Sequence, residues 1–166
     1  RFEAYRDVIK DTVARFGGRT FGAAGDSIMA EFMRPLEAVL SAIQIQAVLS
    51  EANDKLPASE RLPFRIGIHV GDVIARGEQL YGDDVNIAAR VQEKAEAGGL
   101  VITEAVYNHV HGLLDMELEA LGDVDLKHTH PVGAYRVRLG SESPGEPAHP
   151  VPAPVDRLVR WVSRWR

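Results

Sequence analysis

The sequence contains no cysteine, no excess of basic residues and no long apolar run, and each absence excludes a class of protein. Without cysteine among its 166 residues, the chain carries no disulfide framework and no thiolate nucleophile, which suits a reducing compartment such as the cytoplasm. A formal net charge of -5 argues against broad nucleic-acid binding, because proteins that neutralise phosphate backbones carry a basic face. No apolar run approaches the roughly 18 residues that span a bilayer, and the N-terminal residues lack the pattern of a signal peptide. We therefore expect a cytoplasmic protein that can still bind a nucleotide-sized ligand.

The apolar content is sufficient for one folded core. Hydrophobic residues make up 45% of the chain, which at this length favours one domain with a short appendage. The composition then changes, because residues 141–154 contain five of the nine prolines, as is typical of an extended linker. We therefore divide the chain into a folded domain at 1–140, a proline-rich linker at 141–154 and a tail at 155–166.

The tail is short, basic and amphipathic. Its apolar residues, including Trp161 and Trp165, are interspersed with arginines, which predicts a helix with one apolar and one cationic face. Such a helix could contact an anionic membrane surface or a partner protein. A plain connection to a region further downstream is the simpler interpretation, because short helices are marginal alone.

Hydrophobic periodicity predicts the elements of the folded domain. Apolar residues that recur every three or four positions indicate helices, and β-branched runs bounded by turn residues indicate strands. Residues 19–32 are predicted to form a hairpin about Gly25 and Asp26. The predicted helices cover 2–16, 35–51, 84–95 and 104–110, and the further strands lie within 64–75, 100–102, 116–121, 124–126 and 132–139.

This order of elements predicts an α+β fold. A helix, two strands, a helix and a strand match the ferredoxin-like β-α-β-β-α-β plan after removal of its first strand. The removed strand lies inside the sheet in that plan, so its loss would leave paired edges open. We therefore expect a domain that lacks its first strand.

The turn of the predicted hairpin holds the first candidate site residue. Asp26 follows Ala23, Ala24 and Gly25 where a strand of small residues reaches the hairpin tip. A carboxylate there can bind a hard cation such as Mg²⁺, which prefers oxygen ligands. The alternative is an ordinary turn aspartate, because Gly-Asp turns are common for conformational reasons.

Asn86 and Arg90 form the second candidate site. They stand four residues apart on a predicted helix, so their side chains lie on one helical face. An amide can orient a sugar, and a guanidinium can stabilise charge on a reacting phosphorus, where positioning and electrostatics supply most of the rate. Taken alone, the pair could equally belong to a solvated helix face.

A lysine and a set of histidines complete the candidates. Lys127 lies beside a predicted strand and could contact a triphosphate as a mobile point charge. His69 lies within an apolar strand, and we predict a packed, hydrogen-bonded core residue. The remaining histidines lack the three or four clustered ligands that a stable metal site needs; they include His109, His111, His128 and His130.

Taken together, these segments resemble the class III nucleotidyl cyclase catalytic domain, the family of adenylate and guanylate cyclases. The resemblance covers residues 5–139 and keeps the order of the family's motifs. The most diagnostic motif is Tyr-Gly-Asp-Asp-Val-Asn-Ile-Ala-Ala-Arg at 81–90. The matching segments are 18–32, 65–73, 81–90, 97–104 and 126–127.

The resemblance implies conversion of ATP, with GTP as the other candidate substrate, to a 3′,5′-cyclic monophosphate and pyrophosphate. It also implies a head-to-tail homodimer with sites at the subunit interface, and two Mg²⁺ or Mn²⁺ ions in the complete domain. By position, Asp26 resembles the second of two metal-binding aspartates, Asn86 the ribose-orienting asparagine and Arg90 the transition-state arginine. Lys127 resembles the triphosphate-binding lysine, although residues 128–130 depart from the glycine-containing pattern usual there.

Two departures from the family pattern concern the choice of base. Gly22 stands four residues before Asp26, where adenylate cyclases commonly carry lysine and guanylate cyclases glutamate. Gln79 stands seven residues before Asn86, where aspartate or threonine commonly reads adenine. Glutamine can present both a donor and an acceptor to a purine. Both positions are therefore candidate substrate contacts, and the base preference stays open. The family's first metal aspartate would lie upstream of Arg1.

The sequence therefore supports an adenylate cyclase-type domain that makes 3′,5′-cyclic AMP by two-metal catalysis for intracellular signalling. A catalytically impaired pseudo-cyclase, acting as a dimerising or nucleotide-sensing domain, is the alternative that Gly22 and Gln79 leave open. A phosphodiester-forming relative with the same core would need a different glycine-rich acidic motif on its hairpin, and the sequence carries none.

Overall fold

The computed structural model describes residues 1–22, 26–71, 74–76, 79–125, 130–139 and 158–165, and at 74–76, 79–81 and 158–165 it describes the backbone. Within these residues the helices are α1 (Phe2–Arg15), α2 (Pro35–Asp54), α3 (Asp83–Gln92) and α4 (Glu104–Val110), with a 3-10 turn at Ala58–Glu60. The strands are β1 (Arg19–Phe21), β2 (Ser27–Phe32), β3 (Phe64–Gly71), β4 (Ile74–Arg76), β5 (Gln79–Tyr81), β6 (Leu100–Thr103), β7 (Leu118–Val124), β8 (Val132–Val137) and β9 (Leu158–Trp165).

Local sequence signals explain where the first two helices begin and end. Gly17 follows α1 with φ 75, and the amide of Gly18 donates to the carbonyl of Val13 at 2.8 Å, which closes the last turn. Pro35 occupies the first turn of α2, where its missing N–H costs no helical hydrogen bond. The predicted helices over 2–16 and 35–51 are confirmed to within a few residues.

The described strands form a seven-stranded mixed sheet and a separate β4–β5 hairpin. The order in the sheet is β1-β2-β9-β3-β6-β8-β7. Neighbouring strands are antiparallel except β3 and β6, which run parallel. The predicted β1–β2 hairpin is confirmed, with Phe21 opposite Met29. The β4–β5 pairing was not predicted.

Helices cover both faces of the sheet. Because successive residues of a strand point to opposite faces, the residues of β3 show which helices lie on each face. On one face, Ile66 and Ile68 of β3 belong to the main core with α1, α2 and α4. On the other face, Gly67 of β3 lies against α3. The largest fully buried side chains are Phe32, Phe64, Ile9, Ile45, Leu49, Ile66, Ile68, Leu100 and Ile102. The fold is therefore α+β, as predicted.

Strand β9 corrects the prediction for the tail, which we expected to be helical. It lies between β2 and β3 and runs antiparallel to both, with Trp161 opposite Ala30 on one side and Ile68 on the other. The segment is rich in valine and tryptophan, which favour pleated surfaces. An inner sheet position also satisfies backbone groups that an isolated short helix would leave to solvent. The expected open edges of β2 and β3 are thus paired with β9.

Strand β7 corrects a second detail. We expected two strands at 116–121 and 124–126, whereas the structure has one strand with a register shift between Ala120 and Gly122. Gly122 has φ 70, a conformation that glycine adopts at β-bulges. The bulge lets one strand continue across the two segments that we predicted as separate strands, as far as Val124. The linker at 141–154 lies outside the described residues, so the division of the chain into 1–140, 141–154 and 155–166 stays a prediction.

Candidate active site

Helix α3 carries the central candidate residues, and its sequence defines its start. Gly82 precedes it with φ 130, a backbone conformation that side chains rarely tolerate. Asp83 and Asp84 follow in the first turn, where negative charge is favoured by the partial positive charge of a helix N-terminus. Its buried side chains are Val85, Ala88, Val91 and Gln92.

Two glycines of β3 allow α3 to lie directly against the sheet. A Cβ at Gly67 would lie 2.6 Å from the Cα of Gln92 and 2.9 Å from the carbonyl oxygen of Ala88. A Cβ at Gly71 would overlap the carboxylate of Asp84. The absence of side chains at both positions therefore sets the distance between the helix and the strand along the length of α3.

Asn86 and Arg90 lie on the side of α3 that faces away from its buried residues. Asn86 is exposed and Arg90 is half-buried. Because the two side chains stand four residues apart on a regular helix, they lie about one turn apart on one face. The predicted arrangement of amide and guanidinium on one helical face is confirmed; their roles stay predictions.

His69 links α3 to the sheet. It is 7% exposed, and its Nδ1 lies 2.9 Å from the hydroxyl oxygen of Thr103, while its Nε2 lies 3.0 Å from Oδ1 of Asp84. A carboxylate only accepts hydrogen bonds, so Nε2 donates to Asp84. The prediction that His69 is a packed, hydrogen-bonded core residue is confirmed. Sequence reasoning did not identify Asp84 and Thr103 as its partners.

The hairpin that carries Asp26 packs beside the start of α3. Asp26 is half-buried in the turn that precedes β2. Below this turn, Phe21 of β1 and Val85 of α3 are each 5% exposed and form one cluster, with Met29 packed against it. The structure thus brings the base of the hairpin into contact with the residue next to Asn86.

The other candidates are placed only in part. Gly22 is exposed at the end of β1. Gln79 is the first residue of β5, where its backbone pairs opposite Arg76. Lys127 and His128 lie outside the described residues. The structure therefore tests neither the proposed base contacts nor the proposed triphosphate contact.

Asp26 is the residue that we predicted as a metal ligand. Across the described part of the chain, no group of three or more histidine, aspartate or glutamate side chains could hold a metal ion. Mg²⁺ takes six oxygen ligands, several of them usually water or phosphate. One carboxylate such as Asp26 is compatible with a shared metal and substrate site, but it is not a metal centre on its own.

Among the residues that the structure describes, no helix combines the length and the apolarity that crossing a membrane requires.

The chain belongs to the family of adenylate and guanylate cyclase catalytic domains. Residues 17–138 match that family, which includes β1 through β8 and both Asn86 and Arg90. The resemblance inferred from the sequence motifs is therefore confirmed. The family generally uses divalent metal ions.

A curated relative supports the assignment. A candidate adenylate cyclase of Rhizobium meliloti is 32% identical over 124 residues, which cover 75% of this chain. The match covers 21% of that relative's length, and the chain spans 17% of the second curated protein it matches, a serine/threonine-protein kinase of Myxococcus xanthus. The domain therefore resembles one part of longer proteins.

Solved structures share the fold. An adenylate/guanylate cyclase/hydrolase of Silicibacter pomeroyi superimposes with a TM-score of 0.75 at 28% identity, covering 80% of this chain and 77% of that one. The guanylate cyclase domain of a Catenaria anguillulae protein, solved in complex with GTP, superimposes with a TM-score of 0.63 at 20% identity, covering 82% and 81%. The second likeness concerns the fold alone.

Proposed function

We propose that this domain converts ATP to 3′,5′-cyclic AMP and pyrophosphate as a homodimer, in cytoplasmic signalling. GTP is the other candidate substrate, because Gly22 and Gln79 do not carry the side chains that usually select the base. The observation that carries the proposal is the orientation of α3. Its buried face is seated against Gly67 of β3, and this seating leaves Asn86 exposed and Arg90 half-buried on its outer face.

The reaction forms one bond and breaks one bond at the α-phosphorus. The ribose 3′ oxygen attacks that phosphorus and loses its proton to solvent, while the bond to the oxygen that bridges to the β-phosphate breaks and pyrophosphate leaves. Charge develops on the phosphoryl oxygens and the leaving group during this step. A guanidinium held at this point stabilises the developing charge, and an amide that holds the ribose keeps the 3′ oxygen in line. We assign these roles to Arg90 and Asn86.

The remaining candidates have supporting roles. Asp26 would hold a divalent cation, which when bound supplies positive charge beside the triphosphate. Lys127 would contact the triphosphate as a point charge, and Gln79 and Gly22 would lie near the purine. In a head-to-tail homodimer, Asp26 of one protomer would meet Asn86 and Arg90 of its partner. The GTP complex of the Catenaria anguillulae domain supports a nucleoside triphosphate as the substrate class.

A cyclic nucleotide assay on the purified full-length protein tests the proposal. The protein is incubated with ATP or GTP and with Mg²⁺ or Mn²⁺, and cyclic nucleotide is measured by chromatography. We expect cyclic AMP from ATP. We expect Arg90→Ala to lower kcat by about 100-fold or more with little change in KM, because its charge acts in the transition state. Asn86→Ala should lower kcat by about 10- to 100-fold, because a misplaced ribose loses the in-line geometry.

Matched controls separate these effects from loss of folding. Asn108 is exposed on α4 and Arg15 is exposed on α1, so Asn108→Ala and Arg15→Ala remove the same side chains from other helices. Both should retain wild-type kcat. A wild-type full-length protein that yields no cyclic product from either nucleotide, or an Arg90→Ala variant with full activity, would overturn the proposal.

A further inference from the structure

Resting on the proposed function, we infer that His69 is a positioning residue that fixes the first turn of α3, and with it Asn86. It acts through a chain of hydrogen bonds that runs from Thr103 through the imidazole ring to Asp84. His69 does not contact the reacting groups in this assignment. Its effect reaches the substrate through the orientation of the helix.

The chain of hydrogen bonds begins at Thr103, inside the sheet. Thr103 is the last residue of β6 and is fully buried. It also occupies the N-cap position of α4, yet its side chain makes no capping hydrogen bond, although threonine is favoured at such positions for that bond. Its hydroxyl instead lies 2.9 Å from Nδ1 of His69. Nε2 is engaged with Asp84, so Nδ1 is the ring atom that contacts this hydroxyl.

The chain of hydrogen bonds ends at Asp84 on α3, close to the proposed ribose contact. Asp84 lies in the first turn of α3, two residues before Asn86, and its Oδ1 lies 3.0 Å from Nε2 of His69. Its carboxylate also fills the space that a side chain at Gly71 would need. His69 and Gly71 are two residues apart and so lie on one face of β3. The carboxylate is therefore seated over the strand by a hydrogen bond and by close packing.

This anchor lies in the first turn of α3. The first turn of a helix lacks intrahelical partners for its amides, and Asn86 itself is exposed. Val85 packs against Phe21 on the hairpin side, so the contact of Asp84 with His69 holds the same turn from the strand side. Loss of one side allows the turn to shift, and a shift of about 1 Å at a reacting group costs about 100-fold in rate.

Conservative variants distinguish a positioning role from a packing role. The amide of glutamine can occupy the place of Nε2 in the ring, whereas the shorter asparagine reaches only the place of Nδ1. His69→Gln therefore keeps a donor for Asp84, and His69→Asn keeps only the contact to Thr103. On the helix side, Asp84→Asn keeps an acceptor for Nε2 and Asp84→Ala removes it. His109→Asn, at an exposed position on α4, is the matched control.

The variants are compared by steady-state kinetics and by hydrogen exchange of the full chain at a temperature below every unfolding midpoint. We expect His69→Asn and Asp84→Ala to lower kcat by about 10- to 100-fold, with a smaller change in KM, and to speed amide exchange in the first turns of α3. His69→Gln and Asp84→Asn should stay within about threefold of wild-type kcat, because each keeps the hydrogen bond that holds α3 in position, and the control should match the wild type.

The exchange measurement needs no turnover, so it separates this inference from the proposed function. If the wild type makes no cyclic nucleotide but His69→Asn still loosens α3, the proposed function fails and the anchoring role stands. The inference is overturned if His69→Asn leaves α3 exchange unchanged. It is equally overturned if His69→Asn and His69→Gln lose kcat to the same extent, because the two variants differ in the contact to Asp84.

Discussion

Replacing Gly67 with alanine tests whether the close approach of α3 to β3 sets activity. The added carbon would lie 2.6 Å from the Cα of Gln92 and closer still to the backbone nitrogen of Gln92, whereas ordinary van der Waals contact begins at 3.4 Å, so the helix must retreat by at least about 0.8 Å, the difference between these two distances. The neighbours are backbone atoms, which cannot rotate away as a side chain can. Overpacking of this kind costs about 1–3 kcal/mol, which lowers Tm by about 2–12 °C in a domain of this size.

The displaced helix carries Asn86 and Arg90, so the substitution should also lower kcat. A shift of about 1 Å at catalytic groups costs about 100-fold, and we expect a loss of about 10- to 100-fold for Gly67→Ala. The assay combines a thermal melt with cyclic nucleotide production measured well below the unfolding midpoint. Activity is compared only where far-UV circular dichroism shows a folded protein.

Two other glycines provide controls. A Cβ at Gly18 would lie 2.8 Å from Cδ1 and from Cζ of Phe32, so Gly18→Ala should lower Tm without moving α3 and should keep its kcat. A Cβ at Gly133 would meet the side chain of Glu104 at 2.9 Å, and this flexible carboxylate can rotate away, so Gly133→Ala should change little. If Gly67→Ala loses Tm as Gly18→Ala does but retains full kcat, the seating of α3 does not control activity. If Gly67→Ala changes neither Tm nor kcat, α3 does not lie as close to β3 as the structure shows.

Two further predictions concern stability. Ending the chain after Leu139 removes β9 and leaves the facing edges of β2 and β3 unpaired, so we expect aggregation in size-exclusion chromatography and light scattering; a monodisperse, folded product would show that β9 is dispensable. The buried side chain of Gln46 donates to the carbonyls of Phe64 at 3.0 Å and Gly99 at 2.8 Å, so Gln46→Leu should lower the free energy of unfolding by about 1–3 kcal/mol in urea denaturation. Gln44→Leu, at a half-buried position on the same helix, should cost less, and an equal cost would contradict the role of these two hydrogen bonds.

The helices and the hairpin were predictable because local signals and tertiary packing agree. In α1, Tyr5, Ile9 and Val13 recur at the spacing of one helical face, and all three belong to the core. The glycine at position 17 marks the end of that helix, as its conformational freedom predicts. Where periodicity and turn residues agree in this way, a helix or strand can be predicted from the sequence alone.

The tail was not predictable from its own pattern because its conformation depends on a distant site. Residues 158–165 combine apolar and cationic positions that suit an amphipathic helix or a strand equally. The decision comes from the backbone groups of β2 and β3, which lie more than 80 residues earlier in the chain and accept β9 between them. In short apolar segments, sequence periodicity alone does not distinguish a helix from a strand.

The candidate site likewise contains residues that the sequence predicts and contacts that it does not. Asn86 and Arg90 were identifiable because their spacing on one helix is a local property. The partnership of His69 with Asp84 and Thr103 joins three separate elements, so no spacing in the sequence encodes it. One signal was available: a histidine within a buried strand requires polar partners. The sequence therefore indicated that partners exist but did not identify them.

The inner position of β9 has a consequence for biosynthesis. As the ribosome releases the chain from the N-terminus onward, β2 and β3 emerge long before residues 158–165, so the middle of the sheet stays incomplete until β9 has been synthesised. During that interval the facing edges of β2 and β3 expose unsatisfied backbone groups, which recruit chaperones or other nascent chains. We expect the yield of native protein to depend on how quickly β9 reaches its place between β2 and β3, and to fall when ribosomes pause within the proline-rich segment.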